Sequence, residues 1–398
     1  MTVTPQTKAA WEGALKEDYL PVIREQFAYE RVLDTVLEQN TDDVEGLEAV
    51  IAVRMNPNLG IGYRAENVAL PDNGGQVIKK VRVPMKYLYG GVSFSGPLIA
   101  ASRTDSGSYA RIMQDEMENL VKDLRKVSNF YNYGDGSGVI ARVVSVTTHT
   151  LIVDRHSSLF EDARVLDAWT AKTGGSQTMN GKAIVSYDQD TLTLTITSHG
   201  ITTQDYLYLE DTRNECQMGL MGAIDDGTFT STFQSLVRAT YPRWNSKVLG
   251  NGGTNRTMTE KLAMDALAVA RSKSVSPDMF IGTPFQLNDL AQELQGQRQF
   301  VNPTQKLAGG IRAVDIGGIA FTEDPDCPPG YCFLITKKDL SFFTSGPLDW
   351  MDKDGNILQR SLDRKDAYEA TLFMYRELGA YRCNSSFRLE DIAENRPT

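Results

Sequence analysis

Glycine-rich stretches are the first candidates for chemistry in this sequence, because backbone amides in such loops can hold phosphate groups. Residues 60–65 read Gly-Ile-Gly-Tyr-Arg-Ala, which is the spacing of a dinucleotide-binding turn. That turn needs a strand directly before it and a helix directly after it, whereas Pro57 precedes and Pro71 follows. Residues 175–183 resemble a phosphate-binding loop but lack Ser or Thr after Lys182. Both stretches therefore indicate ordinary loops.

Metal-ligating and acid–base side chains form no recognisable constellation. Cys327 and Cys332 flank a Pro-Pro-Gly turn without a second cysteine pair or a nearby histidine. Residues 352–356 suggest a calcium loop, but their glycine is misplaced for an EF-hand and a hairpin turn explains them equally well. The histidines lack metal-ligand spacing; they are His149, His156 and His199. The sequence thus predicts no catalytic residue, no metal and no cofactor, which weighs against an enzyme.

Composition describes an ordinary globular protein. The 398 residues carry 41 Lys and Arg against 51 Asp and Glu, a formal net charge of −10. This acidity argues against a dedicated nucleic-acid binder, which needs clustered cations to neutralise phosphates. No apolar run approaches the length of a membrane helix, and the N-terminus shows no secretion signal. Four cysteines are too few for a disulfide framework.

The strongest periodic pattern predicts a long helix over 104–133. Its apolar residues recur in steps of three and four, which places them on one face. At 1.5 Å per residue such a helix is about 45 Å long, a length suited to a structural spine. The predicted core positions of this spine are Met113, Met117, Leu120, Leu124 and Val127.

Before the helix, two predicted strands over 49–55 and 77–89 flank a loop rich in Gly, Pro and Asn. A two-stranded ribbon this polar buries little apolar surface of its own, so it needs a partner surface. We expect that partner to be another subunit. The charges expected to contact it are Arg64, Glu66, Lys79, Lys80 and Arg82.

The remaining chain changes character twice. Short alternating runs over 139–210 predict a small antiparallel barrel or sandwich, inserted into the rest of the chain. From residue 257 helices and strands alternate, and the tail around Tyr368–Met374 keeps the period of a long strand. The fold class is therefore α+β with a β-rich insertion.

Several stretches, taken in this order, resemble the major capsid proteins of tailed bacteriophages, which have the Hong Kong 97-type fold. The stretches that carry the resemblance are 64–71, 83–90, 96–102, 116–124, 133–138, 218–220, 225–229, 241–244 and 249–254. The resemblance implies an N-terminal arm over 1–48, an extended loop over 49–95, a peripheral domain with its spine helix over 96–138, the insertion over 139–215, a return to the peripheral domain over 216–256, an axial domain over 257–355, and the long peripheral strand with the C-terminus over 356–398.

The resemblance also implies a function. Such a chain is a non-enzymatic subunit that assembles into pentamers and hexamers of an icosahedral shell around double-stranded DNA, contacted non-specifically on the inner face. Implied partners are other copies of the chain, a separate scaffolding protein, a portal and a decoration protein, with no membrane; the implied location is the virion, assembled in the host cytoplasm. Some members join subunits covalently with the help of a glutamate; Glu377 matches it, but Ala370 stands where the reacting asparagine is expected, which argues against such a cross-link.

Two other functions remain open at this stage. One is the shell of a cargo-loading nanocompartment, which shares the fold. The other is a carbohydrate-active or carbohydrate-binding protein that uses the β-rich insertion as its site.

Overall fold

The structure is a computed structural model that describes residues 32–97, 109–295, 304–306, 312–352, 357–360 and 365–395. The predicted arm over 1–48 therefore enters the described residues only at Val32. The α-helices in these residues are α1 Val32–Val36, α2 Tyr109–Tyr131, α3 Leu220–Ala223, α4 Glu260–Ser272 and α5 Pro284–Gln295. None of these described helices is both long and apolar enough to cross a membrane.

The strands fall into sheets that mix distant parts of the chain. Their bounds are β1 Glu38–Asn40, β2 Val44–Glu45, β3 Glu48–Asn56, β4 Val77–Pro84, β5 Lys86–Ser95, β6 Ala141–Val146, β7 Thr150–Val153, β8 Val165–Trp169, β9 Gln177–Asp188, β10 Thr193–Ile196, β11 Tyr206–Leu209, β12 Thr232–Phe233, β13 Leu236–Val237, β14 Lys247–Leu249, β15 Met279–Gly282, β16 Thr304–Lys306, β17 Arg312–Ile316, β18 Ile319–Glu323, β19 Cys332–Ile335, β20 Leu340–Thr344, β21 Asp349–Trp350, β22 Gln359–Arg360, β23 Ala367–Ala380 and β24 Phe387–Leu389.

Helix α2 is the predicted spine. It is described from Tyr109 to Tyr131, and the predicted start at 104–108 lies outside the described residues. Its 23 residues span about 35 Å at 1.5 Å per residue. The helix packs closely on β5, because Gly90 has no side chain there: a Cβ at Gly90 would lie 3.1 Å from Leu124 Cδ1.

The sheet under α2 has the order β1-β20-β23-β21, and β5 and β22 also pair with β23. The predicted tail strand is confirmed as β23, which pairs antiparallel with β5 from Ala367 opposite Ser95 to Arg376 opposite Lys86. One face of these two strands carries Leu372 and Met374, which pack with Leu124. The spine and the long strand therefore share one core.

Strands β3 and β4 form the predicted ribbon, paired from Glu48 opposite Pro84 to Asn56 opposite Val77. The strand predicted over 77–89, and with it the extended loop over 49–95, divides differently in the structure. Met85 N donates to the Leu47 carbonyl at 3.0 Å, and β5 then leaves the ribbon to pair with β23. Residues 86–95 thus belong to the sheet under the spine rather than to the extended loop.

The insertion is a closed antiparallel barrel with the strand order β10-β7-β6-β11-β8-β9. Closure removes unpaired sheet edges and provides an interior that the strands fill themselves. Its core includes Ile140, Leu151, Leu166, Leu194 and Leu207, all of which are buried. Phe130 and Tyr131 at the end of α2 complete this core.

A second sheet of seven strands has the order β14-β24-β19-β15-β18-β17-β16, and α4 and α5 contribute to the core beside it. Two of the predicted domain boundaries do not follow this sheet. The axial range 257–355 contains β20 and β21, which pair with β23, and the C-terminal range 356–398 contains β24, which pairs with β19 and β14. Strand pairing between distant segments, rather than chain order, sets these boundaries.

A buried ion pair ties the segment around α3 to this second sheet. Arg388 Nη2 lies 3.0 Å from Asp225 Oδ1, and Arg388 Nη1 donates to the Met221 and Ile224 carbonyls at 2.8 Å. Arg238 Nη1 donates to the Asp225 carbonyl at 2.7 Å. Arg388 Nη2 also lies 2.8 Å from Glu390 Oε1. Because both arginines are fully buried, loss of Asp225 or of Arg388 would leave buried polar groups with fewer partners in the core.

Candidate assembly interface

The loop over 57–76 leaves the ribbon through a narrow neck. Asn58 Oδ1 accepts a hydrogen bond from Gly60 N at 2.8 Å. A Cβ at Gly60 would lie 2.5 Å from both the Asp72 carbonyl oxygen and Gly74 N, so the two sides of the loop touch backbone to backbone. Gly60, the first glycine of the stretch that resembles a dinucleotide motif, therefore allows close packing of the loop.

Beyond this neck the loop presents apolar side chains to solvent. The exposed fractions are 81% for Leu59, 84% for Ile61, 104% for Tyr63 and 83% for Leu70. We call these four residues the apolar tip. Exposed apolar residues grouped on one projecting segment are typical of a surface that binds another molecule. Val68 in the same loop is also exposed, at 57%. Sequence reasoning missed this feature, although these apolar residues stand out among the polar residues of the loop.

The predicted charges of the loop are mostly engaged within the chain. Arg82 forms an ion pair with Glu48 across the ribbon, and Lys79 Nζ lies 5.9 Å from the centre of the Tyr241 ring. Arg64 Nη1 donates to the Tyr63 carbonyl at 3.3 Å. Two more of the predicted residues, Glu66 and Lys80, are exposed. The structure therefore gives Arg82 and Lys79 a role in holding the ribbon.

Four aromatic rings lie on the face of β5 and β23 that points away from α2. Tyr375 makes edge contacts with Tyr87 and Tyr89, with ring centres 4.9 and 5.8 Å apart, and Phe373 lies 5.0 Å from Tyr375. Tyr87 and Tyr89 are 45% and 53% exposed. Tyr89 Oη donates a hydrogen bond to Tyr375 Oη at 3.3 Å, and this bond, with some burial, raises the pKa of Tyr89 to about 12. We call these four rings the aromatic face.

The predicted spine positions lie in three different cores. Met117 and Leu120 are half-buried beside Val92, Phe94 and Ala370. Leu124 is 4% exposed. Val127 packs against the barrel core, and the side chain of Met113 lies outside the described residues.

Two carboxylates meet where the main segments of the described chain join. Asp324 Oδ2 accepts from Tyr133 Oη at 2.7 Å and from Val32 N at 3.4 Å. Asp326 accepts from Asn129 Nδ2 at 2.8 Å and from Ser158 Oγ at 2.7 Å. This pair, which we call the acidic joint, connects α1, the spine, the barrel and the second sheet. Burial, with the nearby charge of Asp326, raises the pKa of Asp324 to about 7.

Glu377 is buried in β23. Its Oε1 accepts hydrogen bonds from the backbone N–H groups of Met218 and Leu378. Burial raises its pKa to about 8 although these hydrogen bonds oppose the change. Ala370 lies buried opposite Val92, where it offers no amide group.

Among the barrel histidines, His156 contacts a neighbouring aromatic ring. His156 Nδ1 lies 2.8 Å from Tyr187 Oη, and the two rings stack with centres 5.7 Å apart. Burial, with the nearby His149, lowers the pKa of His199. Within the described ranges, no three or more His, Cys, Asp or Glu side chains are grouped to hold a metal ion.

Comparison with solved structures identifies the fold. The chain is similar to the capsid asymmetric unit of cyanophage A-1(L), with 16% identity, a TM-score of 0.63, and coverage of 97% of this chain and 99% of that one. It is similar to the capsid of a native GTA particle, with 11% identity, a TM-score of 0.52, and coverage of 97% and 98%. It is also similar to the SrpI encapsulin complex from Synechococcus elongatus PCC 7942, with 10% identity, a TM-score of 0.51, and coverage of 100% and 99%.

No protein-family model and no curated protein matches the chain. The structural similarities span nearly the whole length of each chain, so they concern the complete architecture rather than one domain. The chain has the fold of these capsid and encapsulin shell proteins. The resemblance to tailed-phage capsid proteins is thereby confirmed at the level of the fold.

Proposed function

We propose that this chain is the major capsid protein of a tailed bacteriophage, a non-enzymatic subunit of the virion shell that encloses double-stranded DNA. The observation that carries the proposal is the end-to-end structural similarity to the cyanophage capsid protein, with a TM-score of 0.63. Closed shells with heterologous contacts can be built from many copies of one such chain.

In this proposal the architecture is of the Hong Kong 97 type. The sheet of β5 and β23 with α2 is the peripheral domain, the seven-stranded sheet with α4 and α5 is the axial domain, and the ribbon is the extended loop. The pentamers and hexamers, a separate scaffolding protein, a portal and a decoration protein belong to the same proposal.

Electron microscopy of the purified full-length chain tests the shell. We expect closed particles of uniform size, accompanied by fast sedimentation. Discrete particles the size of a single subunit or a small oligomer, at all concentrations and in the presence of scaffold, would contradict the proposal and favour a binding protein that uses the barrel.

A cargo-loading nanocompartment is the second candidate, because the encapsulin similarity covers the whole chain. The two functions differ in what the particles enclose. Particles purified from the native source should contain nuclease-protected double-stranded DNA if they are viral heads. Particles that contain one abundant protein and no DNA would favour the nanocompartment.

We further propose that the ribbon is an intersubunit clamp that binds through its apolar tip. The paired part of β4, from Val77 to Pro84, spans about 23 Å at 3.3 Å per residue. A ribbon of this length keeps its tip away from the aromatic face, which begins at Tyr87 beside the ribbon's base. The tip therefore reaches the aromatic face of a second copy, where both apolar surfaces become buried together.

Two variants test the clamp. Replacing residues 58–76 by an Asn-Gly turn removes the tip, and the triple substitution Leu59→Ser, Ile61→Ser and Leu70→Ser removes only its apolar groups. Both should give folded subunits that form no closed shells, because a small loss per contact is multiplied over many contacts. The control, Asp72→Ser with Asn73→Ser and Gln76→Ser, changes three exposed polar residues of the same loop and should still assemble. Normal particles from the triple variant would show that the tip does not hold the shell.

A further inference from the structure

A cleft of about 560 Å³ lies between the ribbon and the segments around Trp244 and Arg382. Four cationic side chains line it, namely Arg54, Arg243, Lys273 and Arg382. None of the described residues that line the cleft is Asp or Glu. In a chain with a net charge of −10, four cations around one cleft without a carboxylate are a marked local reversal of charge.

These cations are not neutralised by neighbouring side chains. Among the ion pairs formed by described residues, none involves any of the four. Arg243 Nη1 donates to Asn56 Oδ1 at 3.2 Å, and Arg382 Nε donates to Asn384 Oδ1 at 2.9 Å, so both guanidinium groups are positioned by neutral amides. Lys247 is a fifth cation close to Lys273. Its charge, together with partial burial, lowers the pKa of Lys273.

The side chains of these cations suit an oxyanion. An arginine guanidinium group is a planar fork whose N–H donors match two oxygens of a phosphate group, and a lysine ammonium group adds a point charge. Three of the four cations are arginines, so the cleft offers several such forks around one space. Trp244 also lines the cleft but is only 3% exposed.

We propose that this cleft binds the phosphodiester backbone of nucleic acid without sequence specificity. The inference rests on the proposed function, because it names the part of the shell subunit that contacts the enclosed DNA. Phosphate contacts of this kind give weak binding that depends strongly on salt. Weak binding at one cleft agrees with the overall acidity of the protein, because DNA would then be held at a restricted site rather than over the whole surface.

The test measures the binding of a short fluorescent DNA duplex of mixed sequence to the unassembled full-length chain, isolated by size exclusion, between 50 and 200 mM salt. The variant is Arg243→Gln with Arg382→Gln. The control, Lys182→Gln with Lys261→Gln, makes the same change in net charge at exposed positions outside the cleft. We expect the variant to bind roughly tenfold more weakly at low salt, and the slope of log K against log salt to fall by about 2. The control should resemble the unmodified chain.

Thermal unfolding checks that the variant is folded; if it is not, Arg54→Gln with Lys273→Gln replaces it. If the cleft variant and the control lose the same amount of affinity for the DNA duplex, the proposal is overturned. Cleft-dependent binding of inorganic phosphate or of polyglutamate without binding of DNA would also overturn it, since the ligand would then be a free anion or an acidic protein. Electron microscopy of the same samples separates the two proposals: closed shells without cleft-dependent DNA binding would contradict only this inference.

Discussion

Leu120 and Leu124 lie one turn apart on the spine but differ in burial, and this difference has measurable consequences. Leu124 is 4% exposed and packs against β5 and β23, whereas Leu120 is half-buried. Leu124→Ala should lower the free energy of unfolding by about 2–5 kcal/mol, because it removes buried methyl groups and leaves a cavity. Leu120→Ala should cost less. Denaturant titration measures both, with Val144→Ala on the exposed barrel surface as a nearly neutral control. If Leu124→Ala leaves the free energy of unfolding unchanged, the spine does not contribute to the core as described here.

The acidic joint should make stability depend on pH. Asp324 has a pKa of about 7 when folded, because it is buried, against about 3.9 when unfolded. Between these values the folded chain holds a proton that the unfolded chain has lost, so this residue's contribution to stability falls as pH rises from about 4 to 7. The groups facing it are Asp326 and Tyr133, while Lys126 and Arg155 act on Asp326.

Asp324→Asn isolates this effect from the other titrating groups. As pH rises from 4 to 7, the unmodified chain should lose stability relative to the variant, and above pH 7 the difference between their free energies of unfolding should stay constant. Denaturant titrations at several pH values measure that difference. A difference that does not change with pH would mean that Asp324 is ionised throughout, and that the joint is held by charge.

Single residues show where sequence reasoning reached its limit. The spacing of Met117, Leu120 and Leu124 predicted one face of a helix, since helical periodicity is a local property. The exposure of Leu59 and Ile61 is not local, because an apolar residue in a loop can equally fold back onto its own core. Arg82 and Glu48 are 34 residues apart in the sequence, and their pairing depends on the register between the two strands of the ribbon.

Among the elements, the barrel is the unit that the sequence described best. Alternating runs predicted a small antiparallel barrel or sandwich, and the structure shows a closed barrel. Strand β8 departs from this alternation because it carries Asp167, whose buried carboxylate accepts from the Gly181 and Asp211 N–H groups at 2.8 and 3.1 Å. A buried carboxylate breaks the expected pattern of a strand, and only the fold shows why it is tolerated.

The barrel should tolerate loss of its histidines. Replacing His149, His156 and His199 together by Gln should leave assembly intact, because among the described residues they belong to no group of three or more metal-ligating side chains, and Gln can still bond to Tyr187 in place of His156. Electron microscopy checks assembly, and elemental analysis of the unmodified protein checks for bound metal. A stoichiometric metal that disappears in the triple variant would show that the barrel holds a site.

Over the whole molecule, sequence order predicted the succession of elements better than their grouping. The ribbon, spine, barrel, mixed region and long strand occur in the expected order. The grouping differs because β20 and β21 return to β23, while β24 crosses to the second sheet. Such crossings are decided by tertiary pairing between distant segments, which no local pattern records.

The central claim is that this subunit builds a closed shell in which its ribbon holds a neighbour. A cryo-electron microscopy reconstruction of assembled particles tests both parts in one measurement. We expect clusters of subunits with fivefold and sixfold symmetry. In these clusters Leu59, Ile61 and Leu70 of each subunit should lie on the aromatic face of the neighbouring subunit. Particles without such clusters, or a ribbon that contacts only its own subunit, would contradict the account.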